Sequence, residues 1–202
     1  MPTRIGVLAL QGDFEAHRYA IERSGARASE VRTAEDLGNV DGLIIPGGES
    51  TTMLKLLELE SMLEPIRGFG QQKPIFGTCA GAILLAKEVV HPSQLSLGLV
   101  DITVERNGYG RQIDSRIADI ELDGKSTEAV FIRAPIIRRT GPDTKVLATY
   151  AGNPVLVEDG KHLASTFHPE LAQEFGIHEH FIRKVAGEKE KDVFSATLDG
   201  EA

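Results

Sequence analysis

Short apolar runs alternate with glycine-bearing turns and helix-forming stretches along the first part of the chain. Ile5 to Leu10 is apolar throughout, as a strand covered on both faces should be, and Gln11-Gly12-Asp13 then turns it into a helical stretch from Phe14 to Ser24, closed by Gly25. Gly42 to Ile45 and Lys73 to Phe76 repeat the plan. Each is followed by a glycine-containing turn and a helix, Thr51 to Leu59 after the first and Ala80 to Lys87 after the second. Such βαβ alternation predicts an α/β fold with a mostly parallel sheet, its functional turns gathered at the carboxyl ends of the strands. Past Pro92 the pattern changes: Leu99 to Glu105, Gln112 to Leu122 and Ala129 to Arg133 are strand-like and joined by glycine- and asparagine-bearing turns. They predict an antiparallel addition within the same domain. Val146 to Tyr150, Pro154 to Glu158 and His162 to Thr166 read as further strands, and a last helix is expected from about Leu171 to Val185, interruptible at Gly176.

With 202 residues, 41% of them hydrophobic, the chain predicts one globular domain over 1–187 and a charged, flexible tail over 188–202, where Glu188-Lys189-Glu190-Lys191-Asp192 stands. No apolar run is long enough to cross a bilayer and no leader precedes the first strand, so no membrane association and a cytoplasmic location are expected. The 30 acidic residues exceed the 22 basic ones, and no Lys/Arg block resembles a phosphate-backbone footprint, which argues against nucleic acid as a partner.

The chemistry concentrates at the only cysteine. Cys79 stands in Gly77-Thr78-Cys79-Ala80-Gly81 between the strand ending in Phe76 and the helix-forming run from Ala82. A lone cysteine on a buried strand is ordinarily an inert small hydrophobe, but G-x-nucleophile-x-G between strand and helix is a nucleophile elbow. The turn pushes the side chain out at the sheet edge, the helix N-terminus favours a thiolate, and the amide of Ala80 is left free to bind an oxyanion. Downstream, Phe167-His168-Pro169-Glu170 supplies a base and its orienter: Pro169 biases His168 to an extended backbone, and period-two alternation puts His168 and Glu170 on the same side. Cys79, His168 and Glu170 read as nucleophile, general base and orienting acid.

A second oxyanion donor is expected from Pro46-Gly47-Gly48-Glu49-Ser50, where paired glycines let backbone N–H groups approach a ligand. A phosphate loop would need a lysine after the glycines, and none follows. Arg106, Arg111 and Arg133 are the cationic candidates for clamping a substrate carboxylate. His178-Glu179-His180 does not make a metal site, because two histidines two apart on a helix point away from each other. A solvated helix face is expected there. His17, His91 and His162 stand in no evident constellation.

These motifs resemble the class I, triad-type glutamine amidotransferases, and within them the glutaminase subunits of pyridoxal 5'-phosphate synthases. The elbow and His168-Pro169-Glu170 mark the broad class. Leu10-Gln11-Gly12, Arg106-Asn107-Gly108-Tyr109-Gly110-Arg111-Gln112 and Phe131-Ile132-Arg133-Ala134-Pro135 mark the vitamin B6 subfamily, and Pro46-Gly47-Gly48-Glu49-Ser50-Thr51-Thr52 belongs to the same match. The resemblance implies a three-layer, flavodoxin-like fold with antiparallel additions. It implies that Cys79 attacks the side-chain amide of L-glutamine, that Gly48 and Ala80 supply the oxyanion donors, and that Gly47, Gly48, Glu49, Arg106, Ile132 and Arg133 contact the substrate. It further implies that ammonia passes to a separate synthase subunit in a large complex with a dodecameric synthase core, and that the glutaminase needs no cofactor or metal. One departure is visible: after Leu-Gln-Gly the family usually has a small residue and then a Glu-His pair, whereas Asp13-Phe14-Glu15-Ala16-His17 moves the glutamate one place. An amidotransferase of another pathway, a hydrolase of γ-glutamyl compounds and a non-catalytic docking protein are the alternatives.

Overall fold

The computed structural model of the chain describes residues 2–107, 115–122 and 124–187, so Arg111 and the expected tail at 188–202 lie outside the described residues. In chain order the elements are β1 (Arg4–Leu8), α1 (Phe14–Arg23), β2 (Arg27–Val31), α2 (Ala34–Gly38), β3 (Gly42–Ile45), α3 (Ser50–Leu59), α4 (Leu63–Gln72), β4 (Ile75–Thr78) and α5 (Ala80–Leu85). There follow β5 (Ala86–Val90), β6 (Val100–Glu105), β7 (Arg116–Leu122), β8 (Lys125–Phe131), β9 (Ile136–Thr140), β10 (Lys145–Tyr150), β11 (Asn153–Asp159), β12 (His162–Ser165), a 3-10 turn (Pro169–Leu171) and α6 (Gly176–Val185).

The central sheet has the order β10-β11-β12-β4-β3-β1-β2. Five strands, from β12 to β2, are parallel; β11 and β10 are added antiparallel at one edge. Period-two alternation explains why the inner strands are apolar throughout. Leu43 and Ile45 of β3 enter the core beneath α2 to α5, while Ile44 enters the core beneath α1 and α6, and Ile75 and Phe76 of β4 divide the same way. The result is an α/β sandwich with a mostly parallel sheet, as the alternation predicts. A smaller sheet, β5-β6-β9, and the hairpin β7-β8 are the antiparallel additions, although β5 and β6 themselves run parallel. Among the described residues no helix is long and apolar enough to cross a membrane.

Three of the boundaries that differ from the sequence reading have a visible cause, and the strand expected from Gln112 begins outside the described residues. The helix expected to reach Lys87 stops at Leu85, because the N–H groups of Leu97 and Leu99 take the carbonyls of Leu84 and Leu85 and the chain enters β5. The last helix begins at Gly176 rather than Leu171. Pro169 opens a separate 3-10 turn that ends at an extended Ala172, and the Gln173 N–H bonds the Glu128 carboxylate at 3.3 Å. The strand expected over Ala129 to Arg133 is instead Lys125–Phe131, since Arg133 sits at a φ of 45° that no strand residue adopts.

Candidate active site

Three adjacent strands end in the segments that carry the chemistry: β4 runs into Cys79, β12 leads to His168, and β3 on the other side ends in Gly47-Gly48. Cys79 occupies φ 48°, ψ −102°, a region costly for a side-chain-bearing residue, and its N–H is tied to the Ser165 carbonyl at 2.8 Å. The glycines flanking it serve close approach rather than positive φ. A Cβ on Gly77 would lie 2.5 Å from the Gly81 carbonyl, and one on Gly81 would lie 2.0 Å from the Ile45 carbonyl oxygen. The turn therefore packs backbone on backbone, and the strain falls on the nucleophile itself. Gly81→Ala is expected to destabilise the fold by at least about 3 kcal/mol, the upper end for overpacking against atoms that cannot move aside. Gly68→Ala in α4, where a Cβ meets nothing within 4 Å, is expected to stabilise by about 0.5–1 kcal/mol. Denaturant midpoints of the two variants check both signs.

His168 is held by its backbone N–H on the Val130 carbonyl at 2.8 Å, and its Nδ1 lies 2.7 Å from Glu170 Oε1. The pairing read from the sequence is thus formed, although by a 3-10 turn starting at Pro169 and not by an extended strand. Gly47 packs against the histidine and the cysteine together: a Cβ there would lie 2.4 Å from His168 Cε1 and 3.4 Å from Cys79 Cβ. Burial pushes the His168 imidazole towards neutrality, but its hydrogen bonds and charge interactions with Cys79 and Glu170 outweigh this and raise it to about 10. These partners favour the protonated ring.

The Gly47-Gly48 turn is clamped by the turn after β1. Asp13 N–H donates to the Gly47 carbonyl at 3.3 Å and Glu49 N–H to Gln11 Oε1 at 3.1 Å. A peptide's carbonyl and N–H point opposite ways, so the Gly48 N–H is turned away from the β1 side. Glu49 caps α3, accepting from the N–H groups of Thr51 and Thr52 and from the Thr52 hydroxyl. Burial would raise its carboxyl, but the Thr52 and Thr51 hydrogen bonds hold it at about 2. Arg106 joins this turn, donating to Thr51 Oγ1 at 2.8 Å with Glu49 Oε1 3.6 Å away. The Cys79 sulfur lies 3.9 Å from the Ile132 carbonyl oxygen. Arg133 does not join the cluster: it is exposed and makes no hydrogen bond or ion pair among the described residues.

Two histidines that the sequence reading set aside are drawn in. His17 is fully buried, with Nε2 3.3 Å from Glu170 Oε2 and 3.1 Å from Thr78 Oγ1, and its Nδ1 meets His178 Nε2 at 2.9 Å. His178 is not on a solvated face. It is fully buried between Phe76 and Phe175, while Glu179 faces solvent and His180 pairs with Glu158 at 3.2 Å. The missed signal was positional: His17 shares the i, i+3, i+4 stripe of Ala20 and Ile21, and His178 lies beside Ile177 and three residues before Phe181. His162 is also buried, accepting from the Ile75 N–H, and His91 is exposed. Among the described residues no cluster of three metal-ligating side chains forms.

Comparison with known proteins adds to this geometry. The family model described as the SNO glutamine amidotransferase family matches residues 7–187. A protein of Solibacter usitatus named "Pyridoxal 5'-phosphate synthase subunit PdxT" is 54% identical over 190 residues, covering 90% of this chain and 99% of the relative. Its namesake in Koribacter versatilis is 53% identical over 192 residues, covering 92% and 100%. A solved structure described as a glutamine amidotransferase superposes with a TM-score of 0.85 at 47% identity, covering 90% of this chain and 98% of that one. The structure of PurLQS from Thermotoga maritima, at 19% identity and a TM-score of 0.64 over 93% and 97% of the two chains, shares the fold.

Proposed function

Because the chain belongs to the SNO glutamine amidotransferase family, we propose that it hydrolyses L-glutamine through Cys79, His168 and Glu170 and delivers the ammonia to the synthase subunit of a pyridoxal 5'-phosphate synthase. The observation that carries the chemistry is the buried Cys79 after β4 beside the buried His168–Glu170 pair after β12, on two neighbouring segments. The pathway rests on the PdxT relatives. The synthase subunit docks in the large assembly with a dodecameric core that the family resemblance implies.

The charge state of His168 sets the order of events. The Cys79 thiolate attacks the side-chain carbonyl carbon of glutamine, and the N–H groups of Ala80 and Gly48 hold the oxyanion. His168 then gives its Nε2 proton to the leaving nitrogen, the C–N bond breaks and ammonia departs, leaving a thioester. Negative charge at Cys79 was one reason His168 held its proton, and in the thioester that charge is gone. The neutral ring can now take a proton from water, whose oxygen attacks the thioester; the C–S bond breaks, glutamate leaves and thiolate and imidazolium are restored. Glu170 keeps the ring's Nε2 aimed at the sulfur throughout. Glu49, anionic and fixed by its capping bonds, and Arg106 beside it suit the amino and carboxylate ends of an amino-acid substrate. Gly47, Gly48 and the Ile132-Arg133 segment are the further substrate contacts that the family resemblance implies.

Glutamate release from glutamine is expected to be low for this chain by itself and to rise at least tenfold with a vitamin B6-type synthase subunit. High release without the partner would point instead to an independent glutaminase or γ-glutamyl hydrolase. A partner of the B6 type that gives no rise would remove the pathway from the reading.

A further inference from the structure

The triad as described leaves one buried charge poorly held. Glu170 Oε1 bonds His168, but Oε2 is buried and makes no aligned hydrogen bond among the described residues. The polar atom beside it is His17 Nε2 at 3.3 Å, which also has Thr78 Oγ1 at 3.1 Å, so one ring N–H lies between two oxygens. We propose that His17 is a positioning residue of the triad, its Nε2–H holding Glu170 Oε2, with His178 fixing the tautomer that places the proton there. The assignment rests on the glutaminase reading for its consequence in turnover, and on geometry alone for its effect on the triad.

The tautomer follows from counting donors. If His178 carries its proton on Nε2, it donates to His17 Nδ1 at 2.9 Å; His17 then carries its proton on Nε2, facing Glu170 and Thr78. The group left over is a bare His178 Nδ1, which has no partner among Phe76, Phe175 and Phe181. The reverse arrangement would aim a His17 lone pair at a carboxylate oxygen and bury an unpaired N–H on His178, which costs more on both counts. Burial first, then repulsion by His178 and His168, lowers the His17 ring well below its ordinary value, and burial lowers His178 to about 3. Both rings are neutral. His17 can therefore support Glu170 without competing with His168 for its charge, and Glu170 and His178 are the titratable side chains in contact with it.

The amides of Gln and Asn separate this role from mere packing, because a Gln side-chain nitrogen reaches the position of a histidine Nε2 and an Asn nitrogen only that of Nδ1. The measurement is the midpoint at which His168 loses its proton, followed by NMR on the full chain labelled with nitrogen-15 in histidine, without glutamine or partner. In His17→Asn the midpoint is expected to fall by about one unit, the size of one lost hydrogen bond to a charged group, while His17→Gln stays close to the parent. With the synthase subunit present, kcat of His17→Asn falls about tenfold at unchanged KM, and His17→Gln keeps most of it. His178→Phe, which fits the same aromatic box but frees the His17 tautomer, moves the midpoint in the same direction and decides the matter if His17→Asn does not fold. An unmoved midpoint in the folded variants, or equal shifts in Gln and Asn, overturns the assignment. The expected midpoint shift in His17→Asn, with a parent chain that releases no glutamate, would leave the assignment standing and remove the glutaminase reading instead.

Discussion

Cys79→Ala lowers partner-dependent glutamate release by about 10⁴-fold or more, to the background of the synthase without it. No neighbouring hydroxyl can take over. Ser165 is fully buried with its hydroxyl donating to the Phe167 carbonyl at 3.0 Å, and the Thr78 hydroxyl is engaged by His17. Glutamine binding survives, because the expected substrate contacts come from Gly47, Gly48, Glu49 and Arg106 rather than from the sulfur. The backbone strain at position 79 gives a second readout. Alanine keeps the cost of φ 48°, ψ −102°, whereas Cys79→Gly relieves it and is expected to be more stable than Cys79→Ala by about 1 kcal/mol or more. Glutamate formation at saturating glutamine, with unfolding midpoints of the two variants, tests both halves. Unchanged release in Cys79→Ala would sink the catalytic reading, and equal stability of the two variants would show that the elbow is not strained.

Much of this site is written in local pattern. The elbow, the His-Pro-Glu segment and the paired glycines each lie within five or six residues, and each follows an apolar strand whose neighbours in the sheet bring it to the same end. What the pattern could not show is how the backbone achieves the pairing. Alternation predicts that His168 and Glu170 meet, yet Pro169 starts a 3-10 turn; both routes bring the side chains together, and only the fold distinguishes them. The role of Gly77 and Gly81 is likewise tertiary, since Gly81 is required by the Ile45 carbonyl from a different strand.

The polar histidines show a different limit. A histidine on the buried stripe of α1 and another on that of α6 are each ordinary, and their meeting depends on how α1 and α6 pack over β4, which no local window carries. The short strand β2 was invisible for the opposite reason: as Arg-Ala-Ser-Glu-Val at the sheet edge it buries only its last residue fully. Its place is set by pairing with β1, and the apolar periodicity that marks a central strand is not needed at an edge.

His168→Asn abolishes turnover while leaving the protein folded and able to bind glutamine and partner. The backbone N–H of residue 168 keeps its bond to the Val130 carbonyl, and an Asn side chain can still donate towards Glu170, so the turn survives. What goes is the proton donor to the leaving nitrogen and the acceptor that activates water, two steps in one ring. The loss should exceed the roughly 10²–10³-fold typical of deleting one oxyanion donor, such as the Gly48 N–H. Binding lost in parallel with turnover would mean that His168 is chiefly structural. The pH profile adds the sign: in the parent, His168 must be protonated to release ammonia, and its raised value of about 10 keeps it so through neutrality. The kcat/KM of the parent is therefore flat above neutral pH and falls as pH rises through about 10, the opposite of a histidine that must first lose its proton near 6.5 to act as a base. A parent whose kcat/KM instead climbs as pH rises from about 6 to about 8 would overturn the imidazolium, and with it the order of steps in which the thiolate attacks before His168 serves as a base.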